Sequence, residues 1–156
     1  MNKNIIKLLL ATCFLVLSNC GFKVVNKSLE NNFFIQQINT TGDKRISFII
    51  KNNLLLNSQK NNQKKLLVKL DVKKNKTIKE KNIKNEITKN QISINIEVKI
   101  IQLSNNEEIK FSVNTVGDYS MEDSYSLSLN NERKLVENLA AKLSKEILKQ
   151  FNIRIK

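Results

Sequence analysis

Between residues 92 and 101 a branched aliphatic side chain stands at every second position: Ile92, Ile94, Ile96, Val98 and Ile100 alternate with Ser93, Asn95, Glu97 and Lys99. A period of two sends one set to each face of a strand, so this segment predicts a half-buried β-strand. Leu66, Val68, Leu70 and Val72 alternate with Leu67, Lys69, Asp71 and Lys73 and predict a second one. Strands that are apolar on one face only need a covering layer, and helices on that face supply it. Val136, Leu139, Ala140, Leu143, Ile147 and Phe151 recur at three and four, one apolar stripe of a closing helix, read as a core face rather than a partner-binding one. Asn130 or Asn131 is its expected cap, with Glu132 in the first turn and Lys145 and Lys149 in the last.

The remaining elements follow from weaker signals. Residues 32–39 form a short β-prone run. Thr41, Gly42 and Asp43 then offer turn and cap chemistry before Ile46, Ile49, Ile50 and Leu54, which share a helical face. Residues 58–63 and 104–108 are turns, and Ile109, Phe111 and Val113 continue as a partner strand. The predicted order is β-α-β-β-β-α. That is an α+β fold, a two-layer sandwich with two helices packed on one face of a four-stranded sheet. A chain of 156 residues fits one such domain.

Composition narrows the chemistry. The chain has no His, two Cys and three Gly. It therefore lacks the usual general base, the ligands of a Cys/His zinc site and a Gly-rich phosphate cradle. No G-x-S-x-G elbow is present either. The expectation is a non-enzymatic protein without metal or cofactor.

Residues 1–19 read as an export signal. Lys3 and Lys7 precede an uncharged run over residues 8–17, which suits a secretory signal and is too short for a membrane span of about 20 residues. The run ends on Leu17, Ser18, Asn19, Cys20 and Gly21, similar to the lipobox of bacterial lipoproteins, although Asn19 stands where Gly, Ala or Ser is usual. Cys20 is then the lipidated residue and the first residue of a mature domain over 20–156. Cys13 leaves with the signal, so no disulfide is expected. Acyl chains on one terminus anchor firmly, at about 0.8 kcal/mol per buried CH₂. A residue other than Asp after the Cys favours the outer membrane among such lipoproteins.

The net charge is +13, but Lys, Asn and Ile make up 67 of 156 residues, as an AT-rich coding sequence would dictate. Codon bias alone does not explain where the charge falls. Residues 60–89 carry +8, whereas residues 90–156 sum to zero. This basic stretch, with Lys73, Lys74, Lys76, Lys79, Lys81, Lys84 and Lys89, reads as a long mobile hairpin tip. It is a solvated face, a surface for anionic lipid head groups or, last, a nucleic-acid contact. Export and the absence of a binding motif argue against nucleic acid.

Cys20, Gly21, Phe22 and Lys23 resemble the opening of the LPS-assembly lipoproteins of the LptE family, although Val24, Val25 and Asn26 replace the Pro and Tyr common there. Gly117, Asp118, Tyr119, Tyr125, Asn131, Glu132, Leu139, Ala140, Ala141 and Ile147 look like that family's last strand and closing helix. The resemblance implies a plug and partner of the outer-membrane β-barrel LptD. Such a protein is lipid-anchored at the periplasmic face of the outer membrane and helps deliver lipopolysaccharide to the outer leaflet. Charge density singles out Lys79, Lys81 and Lys84 as the lipopolysaccharide contact, with Arg133 a weaker candidate. The alternative is an auxiliary lipoprotein of an envelope lipid ABC transporter. Tyr119 and Tyr125 read as covering the sheet edge, or, more sharply, as contacts to a barrel wall.

Overall fold

The computed structural model describes residues 33–60 and 62–155. The signal and Cys20 lie outside them. The order is β1 (Phe34–Gly42), α1 (Lys44–Leu56), β2 (Lys65–Lys81), β3 (Ile87–Gln102), β4 (Glu108–Ser120) and α2 (Tyr125–Arg154). The strands lie side by side in chain order, β1 parallel to β2 and the other neighbours antiparallel. This is the two-helix, four-stranded sandwich that the alternating strands predict.

Register explains the core. Leu66, Val68, Leu70 and Val72 of β2 and Ile92 through Ile100 of β3 send their even-numbered side chains to the helix face, where all are buried. The α2 stripe from Val136 to Phe151 covers them as a core face, together with Ile46, Ile50 and Leu54 of α1. Phe151 stands edge-on to Phe33 at 5.3 Å and to Phe111 at 6.3 Å, closing the end of the core where β1 begins.

The β1–α1 corner follows from three residues. Gly42 adopts φ +88°, and a Cβ there would sit 1.9 Å from the Val72 carbonyl oxygen. Only glycine fits both demands. Asp43 donates its backbone N–H to that same carbonyl at 3.0 Å, and its side chain accepts from Ile46 N–H at 2.9 Å, capping α1 as expected.

Two boundaries differ from the sequence reading. α2 begins at Tyr125 after Ser124, not at Asn130 or Asn131. Its extra turns contain Ser126, Ser128 and Asn130 and show no apolar periodicity, so polarity hid them. They are held instead by Ser128, whose buried hydroxyl accepts from Glu122 N–H at 2.7 Å and donates to Glu122 O at 3.2 Å. Glu132 is therefore well inside the helix, and the basic residue of the last turn is Arg154 rather than Lys145 or Lys149. The basic stretch is the hairpin expected, but its strands run further, β2 well past Lys73 and β3 from before Ile92. β2 and β3 pair from Leu66–Gln102 out to Lys81–Ile87, leaving only residues 82–86 as the turn.

Candidate ligand-facing surfaces

The hairpin overhangs the helix layer. After Val72 no residue of β2 is buried, and on β3 burial stops at Asn90. A strand of 17 residues extends about 55 Å at ~3.3 Å per residue. Because β1 runs parallel to β2, the first described residues and the hairpin turn lie at opposite ends of this length.

The structure separates the three predicted lysines. Lys79 sits where the β2–β3 register shifts and forms an ion pair with Asp118 of β4. The Asp118 carboxyl is held below the usual range by Lys79 and by Gln91, which donates to it at 3.1 Å. Lys81 donates to Asn85 Oδ1 at 3.0 Å and has no carboxylate partner among the described residues. The ammonium of Lys84, in the turn itself, has no partner at all among them. Lys89, also on the overhang, is raised by its hydrogen bond and ion pair with Glu80 at 2.8 Å. Lys81 and Lys84 are therefore the cations the tip leaves available, while Lys79 and Lys89 are engaged within it.

Further down, Lys74 and Lys76 converge on Glu132. Lys76 reaches it at 2.8 Å and Lys74 at 3.8 Å, and Tyr119 donates to the same carboxylate at 2.9 Å. Lys76 also lies 5.3 Å from the Tyr119 ring centroid. Burial alone would raise the Glu132 carboxyl, but Lys76 and Tyr119 outweigh it and the net shift is downward. This cluster ties α2 to the sheet. It places the two tyrosines in different roles: Tyr119 is buried behind the edge, whereas Tyr125 is exposed at the start of α2. Arg133 lines a small cleft beside Asp43 and Lys74, away from the turn.

The sheet face opposite the helices carries a second surface that the charge count did not isolate. A shallow groove of about 540 Å³ crosses all four strands, lined among others by Thr41, Lys69, Asp71, Glu97, Lys99 and Lys110. Lys73 bridges Glu97 at 3.1 Å and Asp71 at 3.3 Å. Thr41 donates to Asp71 at 2.8 Å, and this bond and Lys73 hold that carboxyl low. Lys99 and Lys110 clasp Glu108 at 2.6 and 2.7 Å and lower it to about 2. Lys69 has no ion-pair partner among the described residues. The signal that finds this face is parity, since Lys69 and Lys99 alternate with the buried members of β2 and β3. Among the described residues no cluster of His, Cys, Asp and Glu could hold a metal, and no helix is long and apolar enough to cross a membrane.

A four-stranded sheet backed by two helices on one face defines a class of fold, an α+β sandwich that several bacterial lipoproteins share. Several solved structures similar to this chain are named as lipoproteins. Lipoprotein B from Nitrosomonas europaea matches with a TM-score of 0.61 at 13% identity, covering 85% of this chain and 90% of that one. A minor lipoprotein from Acinetobacter baumannii matches at 0.58 and 12% identity, over 78% of this chain and 92% of that one. Rare lipoprotein B from Shewanella oneidensis matches at 0.55 and 13% identity, over 73% and 92%. No sequence-family description and no curated protein matches the chain. At these identities the likeness is one of fold, and in fold it agrees with the LptE-family resemblance drawn from short motifs.

Proposed function

We propose that the chain is a non-enzymatic envelope lipoprotein with a signal over residues 1–19, an acylated Cys20 and a single mature domain over 20–156. In this reading it is anchored in the outer membrane at the periplasmic face and partners the LPS-assembly barrel LptD, helping deliver lipopolysaccharide to the outer leaflet. The observation that carries the reading is the fold, shared over most of the chain with bacterial proteins named as lipoproteins. The overhang adds support. A sheet of about 55 Å exceeds the roughly 30 Å hydrocarbon thickness of a bilayer, long enough for a plug rooted at one face of a barrel to present its far end near the other. The cations at that far end, Lys81 and Lys84, suit the phosphates of lipopolysaccharide, and Lys79 stands beside them.

Affinity capture of a tagged full-length copy from native outer membranes in mild detergent tests the reading. A large β-barrel in near-stoichiometric yield is the expected result. Recovery of ABC-transporter subunits without a barrel would replace it with the auxiliary-lipoprotein reading, and release of the protein without an acylated Cys20 would remove the anchor.

A further inference from the structure

The hairpin turn is built to hold an apolar side chain in water. Asn82 donates its backbone N–H to Glu86 O at 2.9 Å and accepts from Asn85 N–H at 2.9 Å. Its side-chain oxygen accepts from the backbone N–H groups of Lys84 and Glu86, each at 2.9 Å, and its amide donates to the Glu86 carboxylate at 2.7 Å. Asn85 takes the left-handed conformation, φ 65°, that closes the loop. One asparagine thus pins the whole turn. At its apex Ile83 is fully exposed, and Ile78 and Ile87 on the flanking strands are about half exposed.

None of these isoleucines supports the core, which ends at Asn90 and Val72. The acids around them are already engaged: Glu86 by Asn82, Glu80 by Lys89 and Asp118 by Lys79. What the tip offers outward is aliphatic surface flanked by the ammonium groups of Lys81 and Lys84. We propose that this tip is a lipid-docking finger, in which Ile83, supported by Ile78 and Ile87, enters the acyl region of an anionic bilayer while Lys81 and Lys84 meet the head-group phosphates. Long basic side chains beside an apolar wedge match the layered polarity of a lipid surface. A five-residue turn with one isoleucine, and two more on its flanking strands, falls well short of the roughly 800 Å² per partner that a stable protein interface buries. Pre-ordering by Asn82 means that docking does not have to order the loop. The proposal rests on the tip being a lipid contact and not on the barrel, so co-purification and tip insertion succeed or fail separately.

The chain contains no Trp, so Ile83→Trp gives the intact lipoprotein a single fluorophore at the apex. The full acylated chain is reconstituted on brominated phosphatidylcholine vesicles with or without phosphatidylglycerol. Phe48→Trp, at an exposed position of α1, reports what tethering alone does. The expected result is a blue-shifted emission from the Ile83→Trp variant, quenched at least about threefold more with phosphatidylglycerol than without, while the indole of the Phe48→Trp variant stays in water. Lys81→Ser with Lys84→Ser removes the lipid dependence, and both tryptophan variants keep the parent's circular dichroism. A water-like, unquenched apex indole on anionic vesicles overturns the proposal. So does apex quenching equal to that of the Phe48→Trp variant, or burial of the apex indole only when a barrel or a second copy is supplied.

Discussion

Tyr119 of β4 and Glu132 of α2 share one hydrogen bond, hydroxyl to carboxylate at 2.9 Å, and this bond joins the last strand to the helix that follows it. Asn90 of β3 approaches the same hydroxyl at 3.4 Å, and Lys76 of β2 completes the set from the other side at 2.8 Å from Glu132. Two strands therefore meet the helix at a single carboxylate, and β3 joins them through the Tyr119 hydroxyl, where the hairpin leaves the core.

Among the described residues, removing that carboxylate leaves Lys76 without an acidic partner and Lys74 with Asp43 alone. Glu132→Ala is expected to lower stability by about 2 kcal/mol, between the values for exposed and fully buried pairs. Tyr119→Phe, which deletes one hydrogen bond and keeps the ring, is expected to cost about 1 kcal/mol. Urea unfolding of both single variants and the double variant checks this, with the double falling short of the sum because the two groups share one bond.

The same carboxylate sets a pH dependence. The Glu132 carboxyl is lower in the folded chain than its ordinary 4.5, so its contribution is present in full above that value and is lost as pH falls through the folded-state pKa. Acid unfolding of Glu132→Gln should show a correspondingly flatter slope below pH 4.5 than the parent. Equal slopes would mean the carboxylate is no better placed folded than unfolded.

On the open sheet face, Glu108 between Lys110 and Lys99 should titrate near 2 rather than 4.5. Its contribution likewise exists above about 4.5 and disappears toward 2. Because the pairs are exposed, salt weakens them. Carboxyl NMR titration at low and high salt checks both statements, and Lys110→Ser should move the midpoint back toward 4.5.

Gly42→Ala is expected to cost at least about 2 kcal/mol, because alanine meets a strained φ and a backbone carbonyl that cannot yield. Gly117→Ala is the contrast. Its Cβ would meet the Leu135 side-chain end at 2.8 Å, which can move, so about 1 kcal/mol is expected. Thermal unfolding of the pair ranks them.

The tip lysines are not equivalent. If the tip binds lipopolysaccharide, Lys81→Ser and Lys84→Ser should each weaken binding roughly fivefold, near 1 kcal/mol per available cation. Lys79→Ser should do less, since Asp118 already holds that ammonium. The triple variant should also flatten the salt dependence, as titrations across ionic strength would reveal.

The sequence disclosed most where one physical rule governed many residues. Alternation through Ile92–Ile100 and the stripe from Val136 to Phe151 yielded the sheet, the closing helix and the core face, because burial alone imposes those periods. It disclosed least where neighbours come from afar. The run Lys73, Lys74, Asn75, Lys76 shows no apolar alternation, so the extension of β2 is invisible without its pairing to β3. Ser126 through Asn131 hid the first turns of α2 in the same way. Lys79, Lys81 and Lys84 stand out as a group by charge, yet only the position of Asp118, 39 residues beyond Lys79, tells which of them is engaged.

The parallel pairing of β1 with β2 has a mechanical consequence. Their shared register runs through eight pairs, from Phe34–Lys65 to Gly42–Val72. A tether pulling on the start of β1 and a load held at the hairpin turn would draw the two strands lengthwise past each other. Every rung of that ladder would then bear tension together, in shear, instead of opening one at a time like a zip. The fold is oriented to resist traction along its own length and to yield more readily to a sideways peel at β4.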